Sequence, residues 1–460
     1  MCGIIGIIGD PLASQLAYFG LYALQHRGQE ACGIVSFTTG EDGDLSSHKG
    51  FGLVNDVFKE DTLKKLPGDL AIGHVRYATQ GGHSAYNIQP FLFRSAKFGS
   101  ITIAHNGNLT NAKELRQELE EKGSIFTSTS DSEVILHLIA RTKVDTLEEC
   151  LKEVSKRIYG AYSIVLATQK KLYGIRDPFG FRPLVFGRRG KAFILASESC
   201  ALDLLDAEYL RDVRPGELLS INCENFSSTS LPRETTPRYC AFEPIYFSRP
   251  DSLLEKETVY TYRKAMGKAL AQEEKLDVDV VIAVPDSGVP AAIGYAEASG
   301  LPLELGLVRN HYVGRTFIEP TQAIRDFRVK LKLNPVSSVL KNKSVVVIDD
   351  SIVRGTTSRK IIRLLRDAGA KEIHLRISSP PIAYSCHYGV STPTRDNLLA
   401  AQNKLPAMAD ILGVDTLKFL SLESLKKVLE KGTSTKHCHA CFNGLYPEEI
   451  FCKIPVAPAD

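Results

Sequence analysis

What the chain lacks narrows its class first. No run of apolar residues approaches the roughly 20 that a bilayer span requires, and no basic segment leads into an apolar stretch at the start, as it would in a secretion signal. An excess of one charge is also missing. The 56 Lys and Arg nearly balance 53 Asp and Glu, leaving a net charge of +3 over 460 residues, so no global field favours nucleic acid or an anionic membrane. The expectation is a cytoplasmic protein that partners neither nucleic acid nor membrane and whose basic sites are local. Ten cysteines in a reducing compartment then read as thiols, nucleophiles or metal ligands rather than disulfides. No internal repeat stands out. A chain of 460 residues exceeds what one hydrophobic core organises, which points to two domains of roughly 200 residues each.

Residues 3 to 235 read as short strands with a few helices. Candidate strands run from Ile4 to Ile8, Gly33 to Phe37, Ala71 to Val75, Ile101 to Ala104 and Ser163 to Ala167. Leu12, Leu16 and Phe19 recur at helical spacing, and Ser130-Asp131-Ser132-Glu133 predicts a capping box ahead of the apolar run Val134 to Ile139. Strands and helices grouped in runs indicate layered α and β structure. Between 225 and 240 the segment NFSSTSLPRETTPRYC breaks the periodicity and marks a boundary, giving domains 2–235 and 236–460. In the second, Val280 to Val284 and Val345 to Ile348 are continuous apolar runs, each leading through a Gly-containing turn into helical sequence, as parallel βαβ units require. A doubly wound α/β unit is expected there, mostly helical after Asp396 and ending in a cysteine-bearing tail.

The chain opens MCGIIGIIG. Trimming of the initiator methionine before a small residue would leave Cys2 with a free α-amine beside its own thiol. With a pKa of about 7.7–8.0, that amine is partly unprotonated near neutral pH and can serve as base for the thiol. The alternative is a small, half-buried residue at a strand start. Three further motifs bear on the choice. HVRYAT (74 to 79) carries Arg76, suited to a substrate carboxylate. AHNGNL (104 to 109) carries the Asn106 amide and the Gly107 N–H, suited to an oxyanion. STSDSE (128 to 133) carries Asp131, suited to an amino group. Together they outline a site for an amino acid. With CGIIGI and QHRGQEACG (25 to 33), these motifs resemble, in order, the glutaminase domain of class II amidotransferases. The resemblance implies an α+β N-terminal nucleophile hydrolase fold of four αββα layers, in which Cys2 attacks the glutamine amide. It also implies that Asn106 and Gly107 stabilise the oxyanion, and that Arg76 and Asp131 hold the α-carboxylate and α-amine.

In VVVIDDSIVRGTTS (345 to 358) a buried strand ends in two carboxylates, and a Gly/Thr/Ser turn opens a helix. Gly355, Thr356, Thr357 and Ser358 sit where a helix N-terminus receives phosphate, while Asp349 and Asp350 stand where ribose hydroxyls or Mg²⁺ would be met. The Walker pattern is absent. This stretch is similar to the 5-phosphoribosyl 1-diphosphate signature of type I phosphoribosyltransferases, and VPDSG (284 to 288) resembles their diphosphate-side loop. The resemblance implies an α/β phosphoribosyltransferase domain with Ser287, Asp349 and Asp350 around one Mg²⁺. The basic stretch 314 to 335, with Arg315, Arg325, Arg328, Lys330 and Lys332, suits a lid over substrate, though its match to the family is looser.

Cys240, Cys386, Cys438 and Cys441 remain, and only the last pair has ligand spacing. Four thiolates suit Zn²⁺ or a [4Fe–4S] cluster, and buried thiols are a further reading. The succession of two domains resembles the glutamine phosphoribosyl diphosphate amidotransferases. Their iron–sulfur branch implies one [4Fe–4S] cluster per subunit on these four cysteines, with His437 and His439 outside the ligand set. Many members of that branch lose a propeptide to expose the catalytic cysteine, whereas only Met1 precedes Cys2 in the given chain. The family further implies the first committed step of purine synthesis, in which glutamine and 5-phosphoribosyl 1-diphosphate give 5-phosphoribosylamine, glutamate and diphosphate. A dry passage for ammonia, a homotetramer and feedback by purine nucleotides complete that expectation. A class II amidotransferase with another acceptor, or a phosphoribosyl diphosphate-sensing regulator, would leave one of the two motif sets unexplained.

Overall fold

The computed structural model describes residues 1–40, 45–77, 82, 84–310, 332–431 and 436–448. Two compact units emerge. The first comprises Met1–Cys240, Cys386–Ser391 and the segment from Tyr446 onward, and the second comprises Ala241–Ser385 and Thr392–Leu445.

The strands of the first unit are β1 (Gly3–Ile8), β2 (Ala31–Phe37), β3 (Leu45–Phe51), β4 (Leu70–Arg76), β5 (Phe91–Ser95), β6 (Gly99–Leu109), β7 (Gly160–Ala167), β8 (Leu172–Arg176), β9 (Val185–Arg189), β10 (Ala192–Ala196), β11 (Glu208–Asp212), β12 (Glu217–Ile221) and β13 (Phe226–Ser230). They build two antiparallel sheets, in the orders β11-β9-β10-β1-β4-β2-β3 and β13-β12-β8-β7-β6-β5. Successive side chains of a strand point to opposite faces, and β1 uses both. Ile4 and Ile8 meet Ala104, Val165 and Leu172 of the other sheet, while Ile5 and Ile7 pack beneath α1 (Ala13–Ala23) with Ala17 and Leu21. The outer face of the second sheet is covered by α2 (Ala112–Glu121), α3 (Asp131–Arg141) and α4 (Leu147–Arg157), and the short α5 (Cys200–Leu204) packs with α1 on the first, which gives αββα layering.

Several expected local features differ. Helix α1 does not bury the Leu12, Leu16, Phe19 stripe, since Leu12 and Phe19 are about half exposed. It buries Ala13, Leu16, Ala17, Gly20 and Leu21 instead, because small residues let the helix lie close to the sheet; a Cβ on Gly20 would stand 2.1 Å from Ile5 Cδ1. Ser130 caps α3 through the Ser132 N–H at 3.3 Å, but Glu133 does not close a capping box. Its carboxylate turns upstream to the backbone and hydroxyls of Thr127 and Ser128. The box forms at Thr146 and Glu149 instead. FSSTS is the exposed edge strand β13, held by its ladder to β12 rather than by burial.

In the second unit, β14 (Val280–Ala283), β15 (Ser344–Asp349), β16 (Glu372–Ile377) and β17 (Thr416–Phe419) form a parallel sheet in that order. The sequence pattern places β14 and β15 correctly, but β17 lies in a stretch read as helical. Helix α6 (Val259–Gln272) packs tightly on α7 (Val289–Ser299), which follows β14. On one face of the sheet, Val345, Val347 and Ile373 pack with Ile361 and Leu365 of α8 (Thr356–Asp367) and with Met408 and Leu412 of α9 (Leu405–Leu412).

Candidate active sites

Cys2 stands at the head of β1. The antiparallel register sets Gly3 opposite Val75 and Ile4 opposite His74, so one step outward brings Cys2 alongside Arg76. The backbone N–H of Cys2 donates to Asn106 Oδ1 at 3.2 Å, and its Sγ lies 3.8 Å from the Tyr77 carbonyl oxygen. In this chain that nitrogen belongs to the Met1–Cys2 peptide bond, and removal of Met1 converts it to the amine. Asn106 is fully buried, and its Nδ2 has no hydrogen-bond partner among the described residues. A buried donor left unpaired costs roughly 1–3 kcal/mol, a cost relieved when an anionic oxygen arrives. Gly107 follows on β6; a Cβ there would stand 2.0 Å from the Ala161 carbonyl oxygen, so only glycine fits.

Asp131 opens α3, and its Oδ2 accepts the Leu109 N–H at 2.9 Å. His105, between Ala104 and Asn106 on β6, donates through Nε2 to the Ala161 carbonyl at 3.3 Å, which leaves Nδ1 to accept from Ser132 Oγ at 2.9 Å. Arg76 is 4% exposed. It is already engaged, Nη1 with Glu30 at 2.9 Å and Nη2 with the Gly82 carbonyl at 2.8 Å. Thus β6 carries Asn106 and Gly107 together, and Cys2 is joined directly to Asn106.

Motif reading missed what lies behind Cys2. Its carbonyl accepts from Arg27 Nε at 3.0 Å, and Arg27 Nη1 donates to Glu198 Oε1 at 2.5 Å. The same oxygen meets His26 Nε2 at 2.8 Å. Burial alone would raise the Glu198 carboxyl, but the neighbouring His26 and Arg27 charges and hydrogen bonds hold it well below the usual carboxylate range. QHRGQEACG contains His26 and Arg27, yet Glu198 is far away in sequence and no local signal names it. The other buried thiols behave differently from a nucleophile: burial, helped by Asp56, pushes Cys32 up to about 12, and burial raises Cys150.

In the second unit, Asp349 ends β15 and Asp350 follows, its N–H donating to Asp349 Oδ1 at 2.9 Å. Ser287 and Ser351 hydroxyls both donate to the Asp350 carboxylate. Burial first, then the Asp350 charge, pushes the Asp349 carboxyl well above its ordinary range; burial also raises Asp350, against its serine hydrogen bonds. Two buried, adjacent carboxylates call for a cation. Gly355, with φ +72°, turns the chain into α8, whose N-terminus has no side-chain cap. Thr356 and Thr357 are exposed there and Ser358 is buried, so the first-turn N–H groups are open to an anion.

Arg315, Arg325, Arg328 and Lys330 lie outside the described residues, while the Lys332 carbonyl accepts the Asn310 N–H at 2.9 Å. Cys240 ends a short strand (Arg238–Cys240) and Cys386 begins the Cys386–Ser391 segment, both in the first unit. Cys438 and Cys441 belong to the second. The Tyr388 N–H donates to Cys386 Sγ at 3.3 Å. Among the described residues, no group of three or more His, Cys, Asp or Glu is assembled as a metal site.

Residues 74–204 match the glutamine amidotransferase domain family and residues 258–378 the phosphoribosyl transferase domain family. Fold and sites thus define a glutamine amidotransferase joined to a phosphoribosyltransferase. Amidophosphoribosyltransferase 1, chloroplastic, of Arabidopsis thaliana is 54% identical over 447 residues, 97% of this chain and 78% of its own. The Bacillus subtilis amidophosphoribosyltransferase is 50% identical, over 98% of this chain and 94% of its own. The solved structure of the B. subtilis glutamine phosphoribosylpyrophosphate amidotransferase with ADP and GMP superposes with a TM-score of 0.92 at 49% identity, covering 98% of each chain. The chain belongs to the amidophosphoribosyltransferase family, enzymes of the first committed step of purine synthesis that use glutamine and 5-phosphoribosyl 1-diphosphate. Its first unit has the N-terminal nucleophile hydrolase fold and its second the type I phosphoribosyltransferase fold.

Proposed function

We propose that Cys2, freed of Met1, hydrolyses glutamine with its own α-amine as base. The observation that carries this reading is the direct hydrogen bond between the Cys2 nitrogen and Asn106, whose buried Nδ2 has no partner among the described residues. The amine takes the thiol proton as Sγ attacks the amide carbon, then passes it to the leaving ammonia. Water, deprotonated by the same amine, releases glutamate from the thioester. Asn106 Nδ2 and the Gly107 N–H stabilise the oxyanion of each tetrahedral intermediate. Arg76 and Asp131 receive the α-carboxylate and α-amine.

The second site receives 5-phosphoribosyl 1-diphosphate. Gly355, Thr356, Thr357 and Ser358 hold its 5-phosphate, and Asp349 and Asp350 face the ribose side. These carboxylates, with Ser287, would hold a Mg²⁺ ion that offsets the charge of the departing diphosphate; their buried adjacency fits a divalent cation. Ammonia from Cys2 attacks the anomeric carbon before bulk water can protonate it. Family resemblance supports a structural [4Fe–4S] cluster that Cys240, Cys386, Cys438 and Cys441 would hold, and the N–H donated to Cys386 Sγ is of the kind that supports a thiolate. The ADP and GMP of the B. subtilis structure support purine-nucleotide feedback. Family resemblance supports a homotetramer, with domains 2–235 and 236–460. No helix of the described residues is long and apolar enough to cross a membrane, and we place the protein in the cytoplasm.

The test is incubation with glutamine, 5-phosphoribosyl 1-diphosphate and Mg²⁺, measuring glutamate and diphosphate together. The two products appear in equal amounts with the intact chain. Cys2→Ala abolishes glutamine-dependent synthesis and leaves ammonia-dependent synthesis. Loss of both activities with the fold intact would contradict separate sites.

A further inference from the structure

The segment Cys386–Ser391 packs as part of the first unit although the residues on both sides of it in sequence belong to the second. Within that unit it lies directly against the oxyanion strand. A Cβ built on Gly389 would stand 2.9 Å from the Gly107 carbonyl carbon and 3.0 Å from its oxygen. Gly389 has φ +100°, in the left-handed region where side chains are strained. A Cβ on Gly107 would itself meet the Ala161 carbonyl. Gly107 therefore has main chain close by from both Gly389 and Ala161, and backbone cannot yield as a side chain can.

Three contacts pin the segment. Asn108 Nδ2 donates to the His387 carbonyl at 2.9 Å, and Arg182 Nε donates to the Tyr388 carbonyl at 2.9 Å. The Tyr388 ring stacks on Phe181 at 4.2 Å. Asn108 itself sits on β6 beside Gly107, so the strand that bears the oxyanion donors also grips what lies against it.

We propose that Gly389 is a positioning residue for glutamine hydrolysis: it lies against the Gly107 carbonyl and Cα, and through that Cα it fixes the Gly107 N–H where the oxyanion forms; this rests on the oxyanion role given above to Asn106 and Gly107. A methyl group at 389 meets backbone, so the Gly107 peptide shifts by a fraction of an ångström. Complete loss of an oxyanion donor costs roughly 10²–10³ in kcat, and its displacement is expected to cost about 10–100-fold.

The test uses the full chain lacking Met1. Gly389→Ala lowers the glutaminase kcat about 10–100-fold and leaves the glutamine KM essentially unchanged. Affinity for a glutamine-derived aldehyde, which forms a tetrahedral adduct on Cys2, falls in parallel. Ammonia-dependent synthesis and alkylation of Cys2 by iodoacetamide stay at their original rates. Asn108→Ala, which releases the His387 carbonyl without adding bulk, gives the same pattern to a smaller degree and decides the matter if Gly389→Ala does not fold. Asn106→Ala separates the two ideas. If it lowers kcat and aldehyde affinity while the folded 389 and 108 variants do not, the positioning role is overturned. If Asn106→Ala also leaves both unchanged, the oxyanion reading itself fails.

Discussion

At the residue scale, Cys2, the nucleophile proposed above, is set by a buried chain of charge. Cys2 is held through its carbonyl by Arg27, and Arg27 by Glu198, both with fully buried side chains. Removing one partner of such a pair leaves an uncompensated buried charge, which typically costs about 3–5 kcal/mol. Glu198→Gln is therefore expected to lower the unfolding free energy by about that amount at pH 7, measured by urea denaturation. The pH dependence has a definite sign. The Glu198 carboxyl is depressed in the folded state, so its contribution is present above the unfolded glutamate pKa of about 4.3 and is lost as pH falls through the folded value. The gap between wild type and variant should narrow below about pH 4; a constant gap would rule this account out. Cys2 and Asn106, which the structure joins by a hydrogen bond, could be singled out in sequence because their motifs are short and local. Glu198 could not, because its meaning depends on a partner 171 positions away.

At the scale of elements, patterning succeeded where burial follows periodicity and failed where the backbone itself makes the contact. The continuous apolar run Ile4 to Ile8 placed β1, since each face meets a different layer. Apolar spacing found α1 but not its buried side, which joins Leu16 and Leu21 with the small residues Ala13, Ala17 and Gly20. β17 was missed for a similar reason: a four-residue strand between helices carries too little alternation to stand out. The same physics governs α6 and α7. A Cβ on Gly267 would stand 1.9 Å from the Ala291 carbonyl oxygen, and one on Gly294 would stand 1.9 Å from that of Lys264. Backbone cannot move aside as a side chain can, so Gly267→Ala is expected to cost at least about 1–3 kcal/mol in the second unit. Thermal unfolding should show the loss, with glutaminase activity retained at low temperature. An unchanged melting temperature would mean that the two helices separate without cost.

At the scale of the whole molecule, two chemistries share one chain, and each was visible because its motifs occupy a contiguous half. The Ser/Thr-rich segment between 225 and 240 contains the edge strand Phe226–Ser230 of the second sheet, and the first unit runs to Cys240. The return of Cys386–Ser391 to the first unit left no trace in composition, because Gly389 matters for the space it leaves empty. Everything assigned to the first unit depends on an amine at Cys2, and one measurement addresses it directly. Active enzyme is treated with an electrophilic glutamine analogue, and its N-terminal peptide is weighed. The account predicts a peptide that begins at Cys2, has a free amine and carries the analogue on sulfur, with activity lost in proportion to labelling. Fully active protein that retains Met1, or labelling at another residue, would contradict it.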